Sequence, residues 1–238
     1  MKGIILAGGA GTRLNPLTKV TSKQLLPIYN KPMVFYPLQT LLDAGITEIL
    51  FIVAPDHAGD FLKLLGSGKE FGSKFSYEVQ DKPDGLAQAF KIGENFIGTD
   101  DVALILGDNL FDENFSESVK TFTSGARVFA KQVSDPERFG IVTFDDQKKV
   151  VSIVEKPKNP TSDYAVTGLY VYDNSVISKV KTLAPSARGE YEITDLNNLY
   201  LKEGTLDVAF VEGAWLDTGT FESLFEAAVF AREKELKK

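Results

Sequence analysis

The sequence predicts an α/β fold: a three-layer, Rossmann-like, mostly parallel central sheet with helices on both faces and added antiparallel strands. Three observations predict it. KGIILAG (2–8), EILFIVAP (48–55) and VALILGD (102–108) are near-continuous apolar runs, as strands covered on both faces must be. Helical spacings lie between them, the alternation of an α/β chain. After residue 125, further strand-like runs crowd together with little helix between some of them, which fits strands added partly antiparallel.

Taken in order, the first strand runs straight into GGAGTR (8–13). A helix is predicted around Leu38, Leu41 and Leu42, with Pro32 and Pro37 limiting where it begins and Gly45 ending it. Phe61, Leu64 and Leu65 precede Gly66 in the same manner, and Leu86, Ala89 and Phe90 form another apolar stripe. ARVFAKQV (126–133), FGIVTFD (139–145), KVVSIVEK (149–156) and AVTGLYVY (165–172) read as the later strands. DDQKK (145–149) is a hairpin-like turn and NPTSD (159–163) a loop. After WLDTGT, Phe221, Leu224, Phe225, Ala228 and Val229 recur at i, i+3, i+4, i+7 and i+8, an apolar stripe of the kind that faces a core. The charged end REKELKK (232–238) reads as a solvated tail.

A chain of 238 residues that is 43% hydrophobic and 25% charged can bury a substantial core as one domain. The net charge of -7 argues against nucleic acid or a membrane surface as partners. With no signal-peptide pattern and no apolar run long enough to span a bilayer, the expected location is cytoplasmic. The chain has no cysteine, which excludes disulfides, thiolate nucleophiles and zinc–sulfur sites. Its one histidine, His57 in APDHAGDF, follows a strand and begins a helix, where a surface or capping role is expected. What remains for chemistry is carboxylates, lysines, arginines and backbone amides, a set suited to magnesium and to phosphate.

The turn GGAGTR is neither a dinucleotide fingerprint nor a P-loop. Leu14 stands at the third glycine position of the first, and no Gly-Lys-Ser/Thr follows for the second. The turn lies at the carboxyl end of the first predicted strand, where open α/β sheets bind ligands. Successive glycines expose amides that can cradle phosphate oxygens, and Arg13 adds a fixed cationic fork. Lys23 follows in SKQLLP, a segment too short and proline-bounded to make a good helix.

GGAGTRLNPLT (8–18) followed by SKQLLPIYNKPM (22–33) resembles the N-terminal signature of the sugar-1-phosphate nucleotidylyltransferases, and within them the thymidylyltransferase branch. The resemblance continues, in order, through QDKPDGLAQA (80–89), LILGDNLF (104–111), ERFGIV (137–142), EKP (155–157), YAVTGLYVYD (164–173), ARGEYEITDLN (187–197) and WLDTGT (215–220). It covers essentially the whole chain. It implies a single domain over 1–238, with nucleotide bound by about 1–110, sugar phosphate by about 111–220, and a C-terminal helix and tail at 221–238.

The implied reaction transfers dTMP from dTTP to glucose 1-phosphate, by direct attack of the sugar phosphate on the α-phosphorus, with magnesium as cofactor. UTP is the alternative donor, since thymine and uracil differ by one methyl, worth only about 1–3 kcal/mol in an apolar pocket. By resemblance Gly8, Gly9, Gly11, Thr12 and Arg13 bind the triphosphate, and Arg13 and Lys23 stabilise charge on the departing pyrophosphate. Asp108 and Asp217 are the implied metal carboxylates. Gln80 and Gly85 match the base-recognition positions, where a glutamine amide can both donate to and accept from a pyrimidine edge. Without the resemblance, Gln80 reads as a strand end and Gly85 as a helix N-cap. Glu155 and Lys156 match the sugar side, as do Gly140, Val166, Tyr170 and Arg188. Alternation along a strand gives Val166 and Tyr170 an equally good reading as core.

The chain resembles a short-form member, because many relatives continue into a longer helical tail that builds a regulatory nucleotide site between subunits. A homo-oligomer remains compatible with the resemblance. FVEGA (210–214) departs from relatives that carry an arginine in that region. Two other classes are weighed against this reading. A sugar-nucleotide glycosyltransferase would carry Asp-x-Asp, and the carboxylate after the third buried strand here reads Gly-Asp-Asn. A non-catalytic paralogue would lose an arginine, lysine or carboxylate, and Arg13, Lys23, Asp108 and Asp217 are all present.

Overall fold

The computed structural model describes residues 1–147 and 149–237. In chain order the strands are β1 (Lys2–Ala7), β2 (Pro27–Ile28), β3 (Lys31–Pro32), β4 (Glu48–Val53), β5 (Lys74–Val79), β6 (Val102–Leu106), β7 (Asn109–Phe111), β8 (Ala126–Gln132), β9 (Gly140–Phe144), β10 (Val150–Glu155), β11 (Tyr164–Tyr172), β12 (Leu206–Phe210) and β13 (Trp215–Asp217). The helices are α1 (Phe35–Asp43), α2 (Ala58–Leu65), α3 (Gln88–Ile92), α4 (Glu94–Ile97), α5 (Ser116–Lys120), α6 (Val176–Thr182), α7 (Ile193–Glu203) and α8 (Phe221–Leu236).

The main sheet runs β10-β9-β11-β6-β1-β4-β5, with β8 on β11 and β12 on β8. β6, β1, β4 and β5 are mutually parallel, and β11 is antiparallel to β6, β8 and β9. The three apolar runs are therefore parallel neighbours, and their side chains alternate between two buried layers. Ile4, Leu6, Leu50, Ile52, Val102 and Leu104 face a layer with residues of α3, α6 and α7. Ile5, Ala7, Ile49, Phe51, Ala103 and Ile105 face a layer with α1 and α2. That double burial is why these strands read as continuous rather than alternating.

Chain order also fixes where a ligand belongs. From β1 the chain passes outward to β4 and β5, then returns to place β6 on the other side of β1. The crevice between the carboxyl ends of β1 and β6 is thus a topological switch point. Gly8–Arg13 leave β1 there, and Gly107 and Asp108 leave β6 there. Asn109, Leu110 and Phe111 of β7 then pair with Asp217, Leu216 and Trp215 of β13, bringing the C-terminal WLD beside the end of β6.

Several expectations change. Glycine-rich residues 8–13 lead not into a helix but into short 3₁₀ turns at Thr12–Leu14, Leu17–Lys19 and Lys23–Leu25. β12, α6 and α7 were not anticipated, and of β5 only its end at Gln80 was. β5, KFSYEV, is an edge strand with charged and half-buried residues and lacks the apolar signature of its neighbours. The stripe at Leu86, Ala89 and Phe90 makes two short helices broken at Gly93. The predicted turn at 145–149 includes Lys148, which lies outside the described residues. His57 ends a 3₁₀ turn before α2, contacts Asp60 at 3.4 Å and makes no capping bond, so its role is a surface one.

The clearest difference is α8. Most of the predicted core stripe faces outward: Phe225 is 70% exposed, Phe221 and Val229 are also exposed, and only Leu224 and Ala228 are half-buried. The buried face is instead Ala227 and Ala231, which meet Ile28, Met33 and Leu110, with Leu224 and Phe230 packed alongside. The small residues let the helix approach closely. A Thr220–Ser223 capping box fixes its start, and a Lys234–Asp112 ion pair at 2.5 Å holds its far end. Phe225→Ser is therefore expected to change stability by less than about 0.5 kcal/mol. Ala227→Leu should cost about 1–3 kcal/mol through overpacking. Urea unfolding of the two variants checks the orientation, and the reverse ranking would refute it.

Candidate active site

Two adjoining cavities open at the switch point, of about 620 and 230 Å³. The smaller is lined by Gly9, Lys23, Gln80, Gly85 and Asp108, among others. The larger is lined by Arg13, Asp108, Gly140, Glu155, Lys156, Val166, Tyr170, Arg188 and Asp217, with others. Asp108, Leu106, Leu86 and Glu190 line both, so the two cavities meet at the end of β6. Gly8, Gly11 and Thr12 line neither; they shape the loop behind. Val166 and Tyr170 are buried, as the core reading of that strand expects, and both also line the larger cavity.

Asp108 is the centre. Its carboxylate accepts from the Lys23 ammonium and, at 3.1 Å, from the Asn109 amide. Its carbonyl accepts from the Thr218 hydroxyl at 2.7 Å and the Thr218 amide at 3.0 Å. Burial alone would raise the Asp108 carboxyl, but Lys23 and the Asn109 amide outweigh it and hold the group below the usual carboxylate range. Lys23 is only 8% exposed, and burial of an ammonium demands such a partner.

Asp217 has the opposite fate. Burial first, and then the Asp108 charge, push it up to about 6, against the lowering effect of Lys23, Arg13 and Arg138. The Arg13 guanidinium lies beside Gly219 in space that a side chain there would fill. A Cβ there would lie 2.6 Å from Arg13 Nη2 and 3.3 Å from Asp217 Oδ1. Two carboxylates and three cations thus converge on one side of the switch point. Burial and the Asp108 charge together favour a proton on Asp217 up to about pH 6.

The smaller cavity has its own order. Gln80 is buried, donates to Gln88 at 2.6 Å and lies against Gly8, where a Cβ would sit 2.2 Å from its Oε1. Gly85 is not the helix cap its sequence context suggests. Its φ of +105° and a backbone approach to Tyr191, 2.4 Å from a built Cβ, require glycine. The exposed amides of Gly9 and Ala10 donate to no partner among the described residues.

In the larger cavity, Thr194 donates to Glu155 at 2.6 Å, across from Gly140 in the β9–β10 pairing. Burial first, and then the Glu155 charge, raise the Tyr170 phenol, which stays protonated. The opposite wall is Trp215, which donates to Asn109 at 2.6 Å and packs on Phe139 at 5.1 Å between ring centres.

Sequence reading missed Arg138, Asn109 and Trp215 as site residues. Arg138 stands 3.8 Å from Asp217 and pairs with Asp135 at 2.5 Å. The signal for Asn109 was its place directly after Asp108, and for Trp215 its register opposite β7. Only the tertiary pairing makes either meaningful.

The Nucleotidyl transferase family model matches residues 2–234. A glucose-1-phosphate thymidylyltransferase of Neisseria meningitidis is 58% identical over 98% of this chain and 83% of its own length. One of Mycolicibacterium smegmatis is 54% identical over 100% of this chain and 84% of its own. A Bacillus anthracis crystal structure, provisionally described as a glucose-1-phosphate thymidylyltransferase and holding a sucrose, superposes with a TM-score of 0.93 at 50% identity, covering 98% of this chain and 95% of that one. A UDP-glucose pyrophosphorylase bound to UDP-glucose shares the fold, with a TM-score of 0.86 at 24% identity over 98% of both chains.

Lys156 carries backbone strain. Its φ is +42°, and it stands immediately before Pro157. Its amide is tied to the Phe139 carbonyl at 3.0 Å, which holds the conformation. A left-handed L-residue costs about 1–2 kcal/mol, and glycine recovers this less about 0.5–1 kcal/mol of extra chain entropy. Lys156→Gly is expected to unfold at higher urea than Lys156→Ala. Equal midpoints would mean the strain is not there.

Proposed function

The chain belongs to the Nucleotidyl transferase family, and on that premise we propose that it transfers dTMP from dTTP to glucose 1-phosphate, giving dTDP-glucose and pyrophosphate. The observation that carries the reading is the meeting of the two cavities at Asp108. One cavity offers glycine amides, Lys23 and Gln80, groups that suit a nucleotide. The other offers carboxylates, a phenol and four cations, Arg13, Arg138, Lys156 and Arg188, groups that suit a sugar phosphate. Two substrates held there would meet where the cations and carboxylates concentrate.

In this reading Gln80 binds the base edge, and Gly9 and its neighbours bind phosphate oxygens. Glu155 accepts hydrogen bonds from sugar hydroxyls, while Lys156 and Arg188 hold the sugar phosphate. A phosphate oxygen of that substrate forms a new bond to the α-phosphorus as the α–β P–O bond breaks, and the electron pair leaves with pyrophosphate. Arg13 and Lys23 offset the charge growing on that leaving group. No protein nucleophile is needed, so positioning and charge carry the rate.

Asp108 and Asp217 are the residues that would hold magnesium. Hard carboxylate oxygens fit it, and so do the burial and the Asp108 charge that together raise Asp217 to about 6, which a cation would offset. Two acids do not close a coordination shell, and magnesium commonly keeps waters and substrate phosphates as its other ligands. When bound it would neutralise phosphate charge and orient the attacking oxygen.

The test is pyrophosphate release by the purified chain with glucose 1-phosphate and each of dTTP, UTP, dUTP, CTP, ATP and GTP. Release with dTTP well above the others is expected, and none with any nucleotide would overturn the reading. Arg13→Ala should lower turnover roughly 10²–10³-fold with an unchanged melting transition, and near-normal turnover would remove Arg13 from its role.

The raised Asp217 value sets a pH dependence. Its folded value of about 6 lies above the ordinary 3.8, so the metal-free fold binds this proton more tightly than the unfolded chain does. That contribution favours folding at low pH and is lost as pH rises from about 3.8 through 6. A cation must displace the same proton. Manganese binding, followed by electron paramagnetic resonance, should therefore weaken about tenfold per pH unit below 6. Asp217→Asn should abolish that dependence, and a flat profile in the unaltered protein would refute the two-carboxylate site.

A further inference from the structure

We propose that Glu192 is a positioning residue for Arg188, holding one edge of its guanidinium so that the other edge faces the sugar-phosphate cavity. The proposal rests on the assignment of Arg188 to the sugar phosphate.

Glu192 is 8% exposed and stands at the N-cap of α7. An N-cap side chain ordinarily accepts from the first amides of its own helix, and glutamate is not among the preferred caps. Glu192 makes no such bond. Its carboxylate turns instead to Arg188, which donates from Nε to Oε1 at 3.1 Å and from Nη2 to Oε2 at 2.8 Å. This is the two-bond fork that a guanidinium and a carboxylate form when both are fixed in one plane. The Ser186 hydroxyl donates to the same Oε1 at 2.7 Å. A helix start that gives up its cap to hold an arginine is a local rule broken beside a cavity, where function is the usual cause.

The fork leaves a defined remainder. Arg188 Nη1 donates to no partner among the described residues, and Nη2 approaches Glu155 Oε1 at 3.4 Å. The side chain is 42% exposed and lines the larger cavity. The free edge therefore looks toward the space bounded by Glu155 and Lys156. Glu192 lowers the net charge that Arg188 offers an anion, and in exchange it removes the rotamer freedom that an exposed arginine would lose on binding.

Steady-state kinetics of Glu192→Gln tests this, with Arg188→Lys and the double variant beside it. Glutamine keeps the shape and removes the charge. The expected result is a KM for glucose 1-phosphate raised about ten- to a hundredfold, a KM for dTTP within about twofold, and an unchanged melting transition. Arg188→Lys should act alike, and the double variant should be no worse than Arg188→Lys alone. Equal rises in both KM values, an unchanged KM for glucose 1-phosphate, or additive losses would overturn the proposal. A readout independent of turnover is the Arg188 Nε–H signal in nitrogen-15 arginine side-chain NMR. Slow exchange with water is expected in the unaltered chain and fast exchange in Glu192→Gln. Equal exchange in the two would refute the positioning even in a protein that uses other substrates. A lost fork without turnover of glucose 1-phosphate would place the failure in the substrate assignment instead.

Discussion

The ion pair between Lys23 and Asp108 is the contact on which the site depends. Lys23 is nearly buried, and its partner closes the carboxyl end of β6. Removing one member of a buried pair leaves an uncompensated charge, at a cost of about 3–5 kcal/mol. Three distant segments are committed to this one point. The 3₁₀ turn at Lys23–Leu25 supplies Lys23, the end of β6 supplies Asp108, and the C-terminal turn supplies Thr218, which donates twice to the Asp108 carbonyl. The pair therefore stabilises the closure of the loop over the switch point as well as the charge state of a carboxylate. A hydrophobic substitute could stabilise the fold equally well. It could not leave a hydrogen-bonded carboxylate at the place where the two cavities join.

The charge pattern around that pair is graded. Asp108 is held ionised, while Asp217, on the neighbouring strand, is pushed toward the neutral form by its burial and by Asp108 itself. Arg13 and Arg138 flank Asp217 without cancelling that push. The site thus holds one firm negative charge and one that appears as pH rises or as a cation arrives. Farther into the larger cavity, Glu155, Glu190 and Glu192 surround Arg188. A carboxylate-rich wall suits sugar hydroxyls and repels phosphate, so the few cations there decide where an anion can lie.

Legibility in the sequence followed burial on both faces. β1, β4 and β6 were readable because each is apolar throughout, and their order placed GGAGTR and Asp108 at strand ends. β12 was not, and β5 only at its end before Gln80, because both lie at sheet edges and carry charged residues. α7 escaped because its apolar residues are spaced among Thr194, Asn197 and Asn198, and two of these polar residues are buried. Strand order placed Asp108 at the ligand-binding end of the sheet, while Asp217 was legible only through resemblance. Asp217 in a Trp-Leu-Asp-Thr-Gly turn has no local mark of function; it acquires one from its register against Asn109. Arg138 and Asn109 were missed for the same reason: their partners are far away in sequence.

α8 shows how a correct period can give the wrong face. Its apolar residues number enough for two stripes, and periodicity alone ranks the stripe with the larger side chains first. The docking surface decided otherwise. Ile28, Met33 and Leu110 present a tight seat, and only Ala227 and Ala231 let the helix axis come close. Leu110 belongs to β7, between Asn109 and Phe111, and β7 pairs with β13. The helix thus presses on the same two-stranded ribbon that carries Trp215 and Asp217, and its cap at Thr220 follows Asp217 by one turn. Packing of α8 through small residues is therefore coupled to the placement of Asp217. A bulkier seat would move the ribbon, and with it the carboxylate opposite Asp108.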